Sequence, residues 1–120
     1  MNLHPREECA FCTIIHEYAP AKDFRYHGSF VYSFVPLNPV TPGHRLFIPR
    51  RHVPTAAHAP ELVADCMRSA AVHGSAIHDE FNLIVNSGPN ASQTVPHLHI
   101  HYVPRRENDG LHLPWTGQTH

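Results

Sequence analysis

Apolar residues in this chain form short runs that end at proline or at a polar turn, and between two of these runs the spacing becomes helical. Runs rich in β-branched and aromatic residues predict strands. These runs span residues 30–35, 46–48, 81–86 and 94–103. From Pro60 to about Glu80, apolar residues recur three and four positions apart, which predicts one long helix. Gly74 weakens this helix by about 1 kcal/mol relative to alanine, so the helix is expected to bend or end early there. The segment up to Pro20 predicts loop and short turns, and the order of elements indicates an α+β fold.

The last predicted strand alternates histidine with apolar residues, in the order His97-Leu98-His99-Ile100-His101. Because successive side chains of a strand point to opposite faces, we expect the three histidines on one face and the apolar residues on the other. Imidazole titrates near neutral pH, so three on one face can bind a metal, transfer protons or attack phosphorus as a neutral nucleophile. The alternation alone leaves these three functions open.

Length and charge limit the classes of function. The chain has 120 residues, a formal net charge of -1 and a pI of about 6.9. We expect a single domain over residues 1–120, with its core at about 9–104 and an irregular tail over 105–120. The balanced charge argues against nucleic acid or a membrane surface as a partner. No segment resembles a signal peptide or approaches the roughly 20 apolar residues of a membrane helix, so a cytoplasmic protein is expected.

Two of the three cysteines form the pair Cys9-Ala10-Phe11-Cys12. In a reducing compartment this spacing is more typical of half a metal site than of a disulfide. Cys66 lies among the apolar positions of the predicted helix and is interpreted as a small buried hydrophobic residue.

Further segments accompany the three histidines in a fixed order. Upstream lie Pro42-Gly43-His44 and Ile48-Pro49-Arg50-Arg51-His52, followed by Asn86-Ser87-Gly88 and Ser92-Gln93-Thr94-Val95. Together with His97–Val103, this ordered set resembles the histidine triad (HIT) family of nucleotide-binding hydrolases and transferases. The similarity covers about Cys9 to Pro104. It implies a HIT-like antiparallel sheet of about four to five strands with one long helix.

The resemblance also implies an activity. A HIT enzyme of this type would cleave a nucleoside phosphoramidate or a dinucleoside polyphosphate at the α-phosphate, with a purine as the expected base and no organic cofactor. His99 would attack the phosphorus and form a nucleotidyl-histidine that water or another acceptor resolves. His101 would bond the phosphoryl oxygens, and Gln93 and Thr94 would contact the phosphate or the leaving atom. Thr94 could also hand a proton to the leaving group. Asn86 would add a further hydrogen-bond donor.

In the zinc-carrying, bacterial-type branch of the family, a Cys-x-x-Cys pair joins two histidines. The corresponding residues here are Cys9, Cys12, His52 and His97. Two thiolates and two imidazoles suit a closed tetrahedral Zn²⁺ shell, so this metal would be structural.

The chain departs from the family pattern at two positions. Pro36 stands where many relatives carry an acidic residue that binds the ribose, and Asn38 is the candidate substitute. Ser92 stands where relatives often have glycine beside the glutamine. The missing acidic residue keeps open a nucleotide-binding protein without catalysis. A hydrolase whose three triad histidines hold one catalytic zinc is a second alternative, against which Gln93-Thr94 and the Cys-x-x-Cys pair argue.

Family members pair through the long helix and the strand over 81–86, and their C-terminal tails often approach the partner's site. The resemblance therefore implies a homodimer, with Trp115 as a candidate contact in the tail.

Overall fold

The computed structural model of the protein describes residues 8–17 and 19–113, so Trp115 lies outside the described residues. The elements in chain order are α1 (Ala10–Ile15), β1 (Lys22–Tyr26), β2 (Val31–Val35), β3 (Arg45–Pro49), α2 (Pro60–Ala76), β4 (Phe81–Val85) and β5 (Ile100–Pro104). Short 3₁₀ turns span Ala56–His58 and Pro89–Ala91. The strands form an antiparallel sheet in the order β1-β2-β3-β5-β4. This architecture confirms the predicted α+β fold with four to five strands and one long helix.

The two helices cover opposite faces of the sheet. Beneath α2, the fully buried Phe47, Ile100 and Tyr102 of the central strands pack with Cys66 and Ala70 of the helix. Burial of Cys66 raises the pKa of its thiol to about 12, which agrees with its interpretation as a buried hydrophobic residue. The opposite face packs against α1 through a second cluster, whose buried members are Cys9, Phe11, Cys12, Tyr32, Phe34, Leu46 and Ile48.

The N-terminal segment differs from the predicted loop and turns because it contains α1 and β1. Helix α1 begins where the Sγ of Cys9 accepts a hydrogen bond from the backbone N–H of Cys12, at 3.4 Å. Strand β1 has the sequence Lys-Asp-Phe-Arg-Tyr and lies at an edge of the sheet. An edge strand buries little, so its sequence carries no run of apolar residues that would predict it.

Two element ends also differ from the prediction. Helix α2 ends at Ala76 and not near Glu80, because His78 adopts a φ of +56°, which a right-handed helix cannot include. Strand β5 begins at Ile100 and not at Thr94. The N–H of Leu98 donates to the carbonyl of Val53 at 2.8 Å, which lies outside the neighbouring strands, so the sheet ladder starts later.

Helix α2 continues through Gly74, contrary to the expectation of a bend or an early end. A Cβ at this position would lie 2.4 Å from a ring carbon of Phe81 and 2.9 Å from a ring carbon of Tyr102. The missing side chain therefore lets α2 approach β4 and β5 closely, and β5 carries the last triad histidine. Among the described residues, no helix has the length and apolar character needed to cross a membrane.

Candidate active site

The histidine row has the two-sided arrangement that its alternation predicts. On one side the intervening apolar residues are fully buried in the core beneath α2, and these are Leu98, Ile100 and Tyr102. On the other side the rings of His99 and His101 lie 5.1 Å apart. Phe11 of α1 packs edge-on against both His97 and His99, with ring centroids 5.8 and 5.1 Å away. The histidines therefore share the face of the sheet opposite α2.

His99 has one ring nitrogen fixed by the backbone. Its Nδ1 lies 2.7 Å from the carbonyl oxygen of His97, and a carbonyl only accepts hydrogen bonds, so Nδ1 carries the proton. Burial lowers the pKa of His99 below its usual value, which keeps the ring neutral. The Nε2 of His99 therefore bears a lone pair, which is the nucleophilic form of imidazole.

His101 has the opposite tautomer, and His44 sets it. The backbone N–H of Val40 donates to Nδ1 of His44 at 3.1 Å, so the proton of His44 is on Nε2. That Nε2 lies 3.0 Å from Nδ1 of His101 and donates to it, which leaves the proton of His101 on Nε2. Burial lowers the pKa of both rings, that of His101 to about 4, so both are neutral at pH 7. His101 thus presents an N–H donor where His99 presents a lone pair.

His44 fixes the tautomer of His101, and the sequence assigned it no role although it belongs to the Pro42-Gly43-His44 segment. Gly43 has a φ of +88°, and a Cβ there would lie 2.9 Å from the ring of Pro104. Only glycine combines this backbone conformation with this close approach to β5. The signal in the sequence was a histidine directly after a Pro-Gly turn and directly before a strand.

The loop before the triad is closed by Gln93. Its side-chain Oε1 accepts the N–H of Gly88 at 2.8 Å, and its Nε2 donates to the carbonyls of Pro54 at 2.7 Å and Val95 at 2.8 Å. The amide group of Gln93 is therefore bonded to backbone on both sides. Ser92 in this loop has a φ of +71°, a conformation that glycine adopts without strain.

The remaining predicted substrate residues occupy different places. Asn86 lines a cavity of about 250 Å³ together with His44 and His101. Thr94 is exposed at the end of the loop that Gln93 closes. Asn38 is exposed in the turn after β2 and does not line that cavity.

The four predicted metal ligands converge. The ligand atoms of Cys9, Cys12, His52 and His97 all lie within 4.8 Å of one another, and three of these residues are buried. Nδ1 of His97 lies 3.5 Å from each cysteine Sγ and 3.2 Å from Nδ1 of His52, which in turn is 3.3 Å from Sγ of Cys12. With Zn–N bonds of about 2.0 Å and Zn–S bonds of about 2.3 Å, a tetrahedron has edges of roughly 3.3 Å between nitrogens and roughly 3.5 Å between nitrogen and sulfur. The donor set and its spacing therefore fit Zn²⁺.

A backbone contact holds the first triad histidine in this cluster. The Nε2 of His97 donates to the carbonyl of Pro49 at 3.0 Å, which leaves Nδ1 unprotonated towards the thiols. His99 and His101 are not part of the cluster, and no second convergent group of three or more His, Cys, Asp or Glu occurs over residues 8–17 and 19–113. This geometry disfavours the alternative in which the three triad histidines hold one catalytic zinc.

Known proteins are similar to this chain in sequence and in fold. The HIT domain family matches residues 20–108. Over 112 residues the chain is 36% identical to adenylylsulfatase HINT3 of Arabidopsis thaliana, and this covers 88% of the chain and 56% of that protein. Over 113 residues it is 34% identical to adenosine 5'-monophosphoramidase HNT1 of Saccharomyces cerevisiae, covering 92% of the chain and 71% of that protein. The chain thus spans little more than half the length of the Arabidopsis relative.

The structure is also similar to a solved one. A zinc-bound histidine triad family protein from Mycobacterium smegmatis aligns with a TM-score of 0.75 and 33% identity, over 89% of this chain and 81% of that chain. The family match spans most of the chain. The chain therefore belongs to the HIT domain family.

Proposed function

We propose that this protein is a nucleotide hydrolase or transferase that cleaves a nucleoside phosphoramidate or a dinucleoside polyphosphate at the α-phosphate through a nucleotidyl-histidine on His99. The observation that carries this proposal is the fixed tautomer of His99, whose Nδ1–H is bonded to backbone, so that Nε2 bears the lone pair. Two relatives named as an adenylylsulfatase and an adenosine 5'-monophosphoramidase support a purine nucleotide substrate.

In the first step, Nε2 of His99 attacks the α-phosphorus, a P–N bond to the histidine forms, and the bond from phosphorus to the leaving atom breaks. The Nε2–H of His101 donates to a phosphoryl oxygen and stabilises its negative charge in the transition state. The leaving atom takes the bonding electron pair and receives a proton from the Thr94 hydroxyl. Because Thr94 is exposed, its hydroxyl takes a replacement proton from solvent while it gives its own proton to the leaving atom. In the second step, water or another acceptor displaces the histidine.

The other polar residues act around this centre. We propose that Gln93 contributes to phosphate binding by holding the loop that presents Thr94, because its amide already has backbone partners. Asn86 faces the cavity beside His101 and supplies a further donor. Asn38 is the candidate contact for the sugar, since Pro36 has no side-chain acceptor.

We infer that Cys9, Cys12, His52 and His97 hold a structural Zn²⁺. The ion would join α1, the segment after β3 and the start of the triad, and with four protein ligands it leaves no position for an activated water. Dialysis against a zinc chelator is expected to lower the melting temperature, and Cys12→Ser is expected to reduce the bound zinc to well below one ion per chain. A protein purified with full zinc occupancy after Cys12→Ser would contradict this ligand set.

The covalent step is tested by intact-mass measurement after brief incubation with adenosine phosphoramidates and diadenosine polyphosphates, quenched at neutral or alkaline pH to preserve the P–N bond. We expect a nucleotidyl adduct in the wild type and in the exposed-histidine control His58→Ala, and none in His99→Gly. Product formation without an adduct, with activity retained in His99→Gly, would refute the covalent mechanism. Tight nucleotide binding with no product would favour a binding protein.

We also propose a homodimer formed through α2 and β4. Strand β4 is an edge of the sheet, and Val72 and Ile77 near the end of α2 are 61% and 52% exposed. Burying such apolar surface against a second copy would stabilise the assembly. Light scattering at micromolar concentration is expected to give the mass of a dimer, and the mass of a monomer would contradict the proposal.

A further inference from the structure

A buried polar cluster joins β1 to β2 and β3 on the face of the sheet opposite the histidine row. Ser33 of β2 is paired with Phe47 of the core beneath α2. The Oγ of Ser33 is fully buried; it accepts a hydrogen bond from Nη1 of Arg45 at 2.8 Å and lies 2.5 Å from Nε2 of His27. Arg45 is 4% exposed, donates to the backbone carbonyl of Asp23 at 2.9 Å and forms an ion pair with its carboxylate. We call Asp23, His27, Ser33 and Arg45 the edge-strand cluster.

Strand β1 buries little surface of its own. Four of its five residues are exposed, and only Phe24 is half-buried. Its pairing with β2 is interrupted between Lys22 and Arg25, where Asp23 has a φ of +51°, a conformation that L-residues rarely adopt. An element with little buried surface and an interrupted ladder opens at a lower free energy than the rest of a domain. The attachment of β1 therefore depends strongly on the edge-strand cluster.

The bond between Ser33 and His27 depends on the charge of the imidazole. The Ser33 oxygen accepts a hydrogen bond from Arg45, so its own hydrogen is available to an acceptor. Neutral His27 supplies that acceptor through an unprotonated Nε2. Protonated His27 carries a hydrogen on both ring nitrogens, so Ser33 would face two cationic donors and its buried hydroxyl hydrogen would lose this acceptor. The cluster is therefore satisfied by the neutral ring.

The groups around His27 also oppose its protonation. Burial lowers the pKa of His27 below its usual value, and the charges of Arg45, His73 and Arg25 lower this pKa further. Burial and the same two arginines lower the pKa of His73, which lies on α2. Asp23 is the acidic member of the cluster, and its carboxylate is already shared by Arg25 and Arg45. A proton on His27 is therefore more stable when β1 is detached and the ring is in water.

Strand β1 is connected to the candidate site through a row of aromatic rings. Phe24 of β1 stacks on Phe34 with ring centroids 6.5 Å apart, and Phe34 packs edge-on against Phe11 at 5.4 Å. Phe11 in turn packs against His99 at 5.1 Å. Detachment of β1 would remove the outermost ring from a row that ends at His99.

We propose that the edge-strand cluster is a pH-sensitive switch, in which protonation of His27 detaches β1 from β2 while the other four strands stay folded. The switch belongs to the fold and does not depend on the reaction proposed at His99. In the detached state His27 is in water and has the ordinary histidine pKa of about 6.5. With His27 neutral in the attached state, lowering the pH from 7.5 to 5.5 raises the equilibrium constant for detachment by about tenfold, which is the limit of the effect.

Hydrogen exchange followed by mass spectrometry at pH 7.5 and 5.5, corrected for the intrinsic pH dependence of exchange, tests this switch. In the wild type we expect the opening of residues 22–27 to increase severalfold at the lower pH, up to the limit of about tenfold. His27→Gln keeps a neutral hydrogen-bonding side chain, so its opening is expected to be the same at both pH values. His58→Gln removes an exposed histidine in the turn before α2 and is the matched control, for which we expect the wild-type increase.

An equal increase in the wild type and in His27→Gln would overturn the switch. An increase that disappears in His73→Gln but persists in His27→Gln would overturn the assignment to His27. The proton itself is measured on the wild type alone, by NMR titration of the His27 ring, which we expect to be neutral at pH 7.5. A ring that is charged at pH 7.5 while β1 stays protected would overturn the switch whatever the variants show. These measurements involve no substrate, so failure of the reaction proposed at His99 would leave their result unchanged.

Discussion

Replacing Gly74 by alanine has two opposing effects on stability, a gain in helix propensity and a steric clash where α2 contacts β4 and β5. In an exposed helix interior, glycine to alanine stabilises by about 1 kcal/mol. Here the new Cβ would lie 2.4 and 2.6 Å from two ring carbons of Phe81 and 2.9 Å from one of Tyr102. Non-bonded carbons attract best at about 3.5–4.0 Å, so each contact is strongly repulsive.

The neighbours differ in how far they can yield. Phe81 is half-buried at the edge of the sheet and can shift, whereas Tyr102 is fully buried and its hydroxyl donates to Asp79 at 2.8 Å. Overpacking of this kind costs about 1–3 kcal/mol. Since Tyr102 cannot move away, we expect a cost near the top of this range. After the helical gain, Gly74→Ala is expected to destabilise the protein by about 1–2 kcal/mol.

Urea unfolding measures the net change in the free energy of unfolding, as a shift of the midpoint concentration with an unchanged dependence of that free energy on urea concentration. Ser75→Ala, one position along on an exposed face of the same helix, is the control for propensity and is expected to stabilise slightly. Phe81→Leu should recover part of the loss in the Gly74→Ala background, because it removes the ring atoms closest to the new methyl. A Gly74→Ala protein more stable than the wild type would refute the reasoning, since it would mean that α2 does not approach the sheet as closely as described.

Three further predictions concern the loops and the histidines. Asp109→Asn removes the ion-pair partner of Arg105, so limited proteolysis is expected to cut residues 105–113 faster, and a wild-type digestion rate would contradict the role of this ion pair in holding the segment. The same pair holds the pKa of Asp109 well below its usual range. The ion pair therefore stabilises the folded protein at any pH above the ordinary carboxyl pKa, and this stabilisation is lost as the pH falls from there towards the lowered pKa. Ser92→Gly removes a left-handed residue and should raise the unfolding free energy by about 0.5 kcal/mol in urea melts, whereas a decrease would contradict strain at that position. Burial lowers the pKa of His101 to about 4, so as the pH falls the unfolded chain takes up this proton before the folded protein does, and the free energy of unfolding should decrease from about pH 6.5 towards pH 4. His101→Gln should therefore lose less stability than the wild type between pH 7 and pH 5 in urea melts. An equal loss in both proteins would exclude His101 as its source.

The elements that the sequence predicted are those with a strong local pattern. Strands β2 to β4 and helix α2 have apolar runs or helical spacing within their own residues, and all were found with small shifts at their ends. Strand β1 was missed because its place is decided by pairing with β2, which no feature of Lys22–Tyr26 reveals. The end of α2 was misplaced because His78 takes a left-handed conformation that its residue type does not announce.

In the candidate site, too, the sequence predicted local patterns but not the contacts between residues far apart in the chain. The Cys9 and Cys12 spacing is local and visible, but the convergence with a histidine 85 residues away from Cys12 is a property of the fold. The amide of Gln93, a predicted phosphate contact, is bonded to backbone that includes Pro54, 39 residues away, and the sequence does not reveal this bond. The tautomer of His101 depends on His44, 57 residues earlier. Sequence patterns therefore named most of the residues, while the proton positions that decide their chemistry required the structure.

The three triad histidines have the same side chain, and what differs among them is the group that Nδ1 faces. In His97 it faces two thiols and a second imidazole, in His99 a backbone carbonyl, and in His101 the Nε2–H of His44. Nδ1 is therefore unprotonated towards the thiols in His97, a donor in His99 and an acceptor in His101. The carbonyl that fixes His99 belongs to His97, and His97 is itself held at both ring nitrogens by the cysteine–histidine cluster and by Pro49. In the mechanism that we propose, a structural zinc in this cluster would orient His99 through that single backbone carbonyl and would contribute to catalysis without activating water.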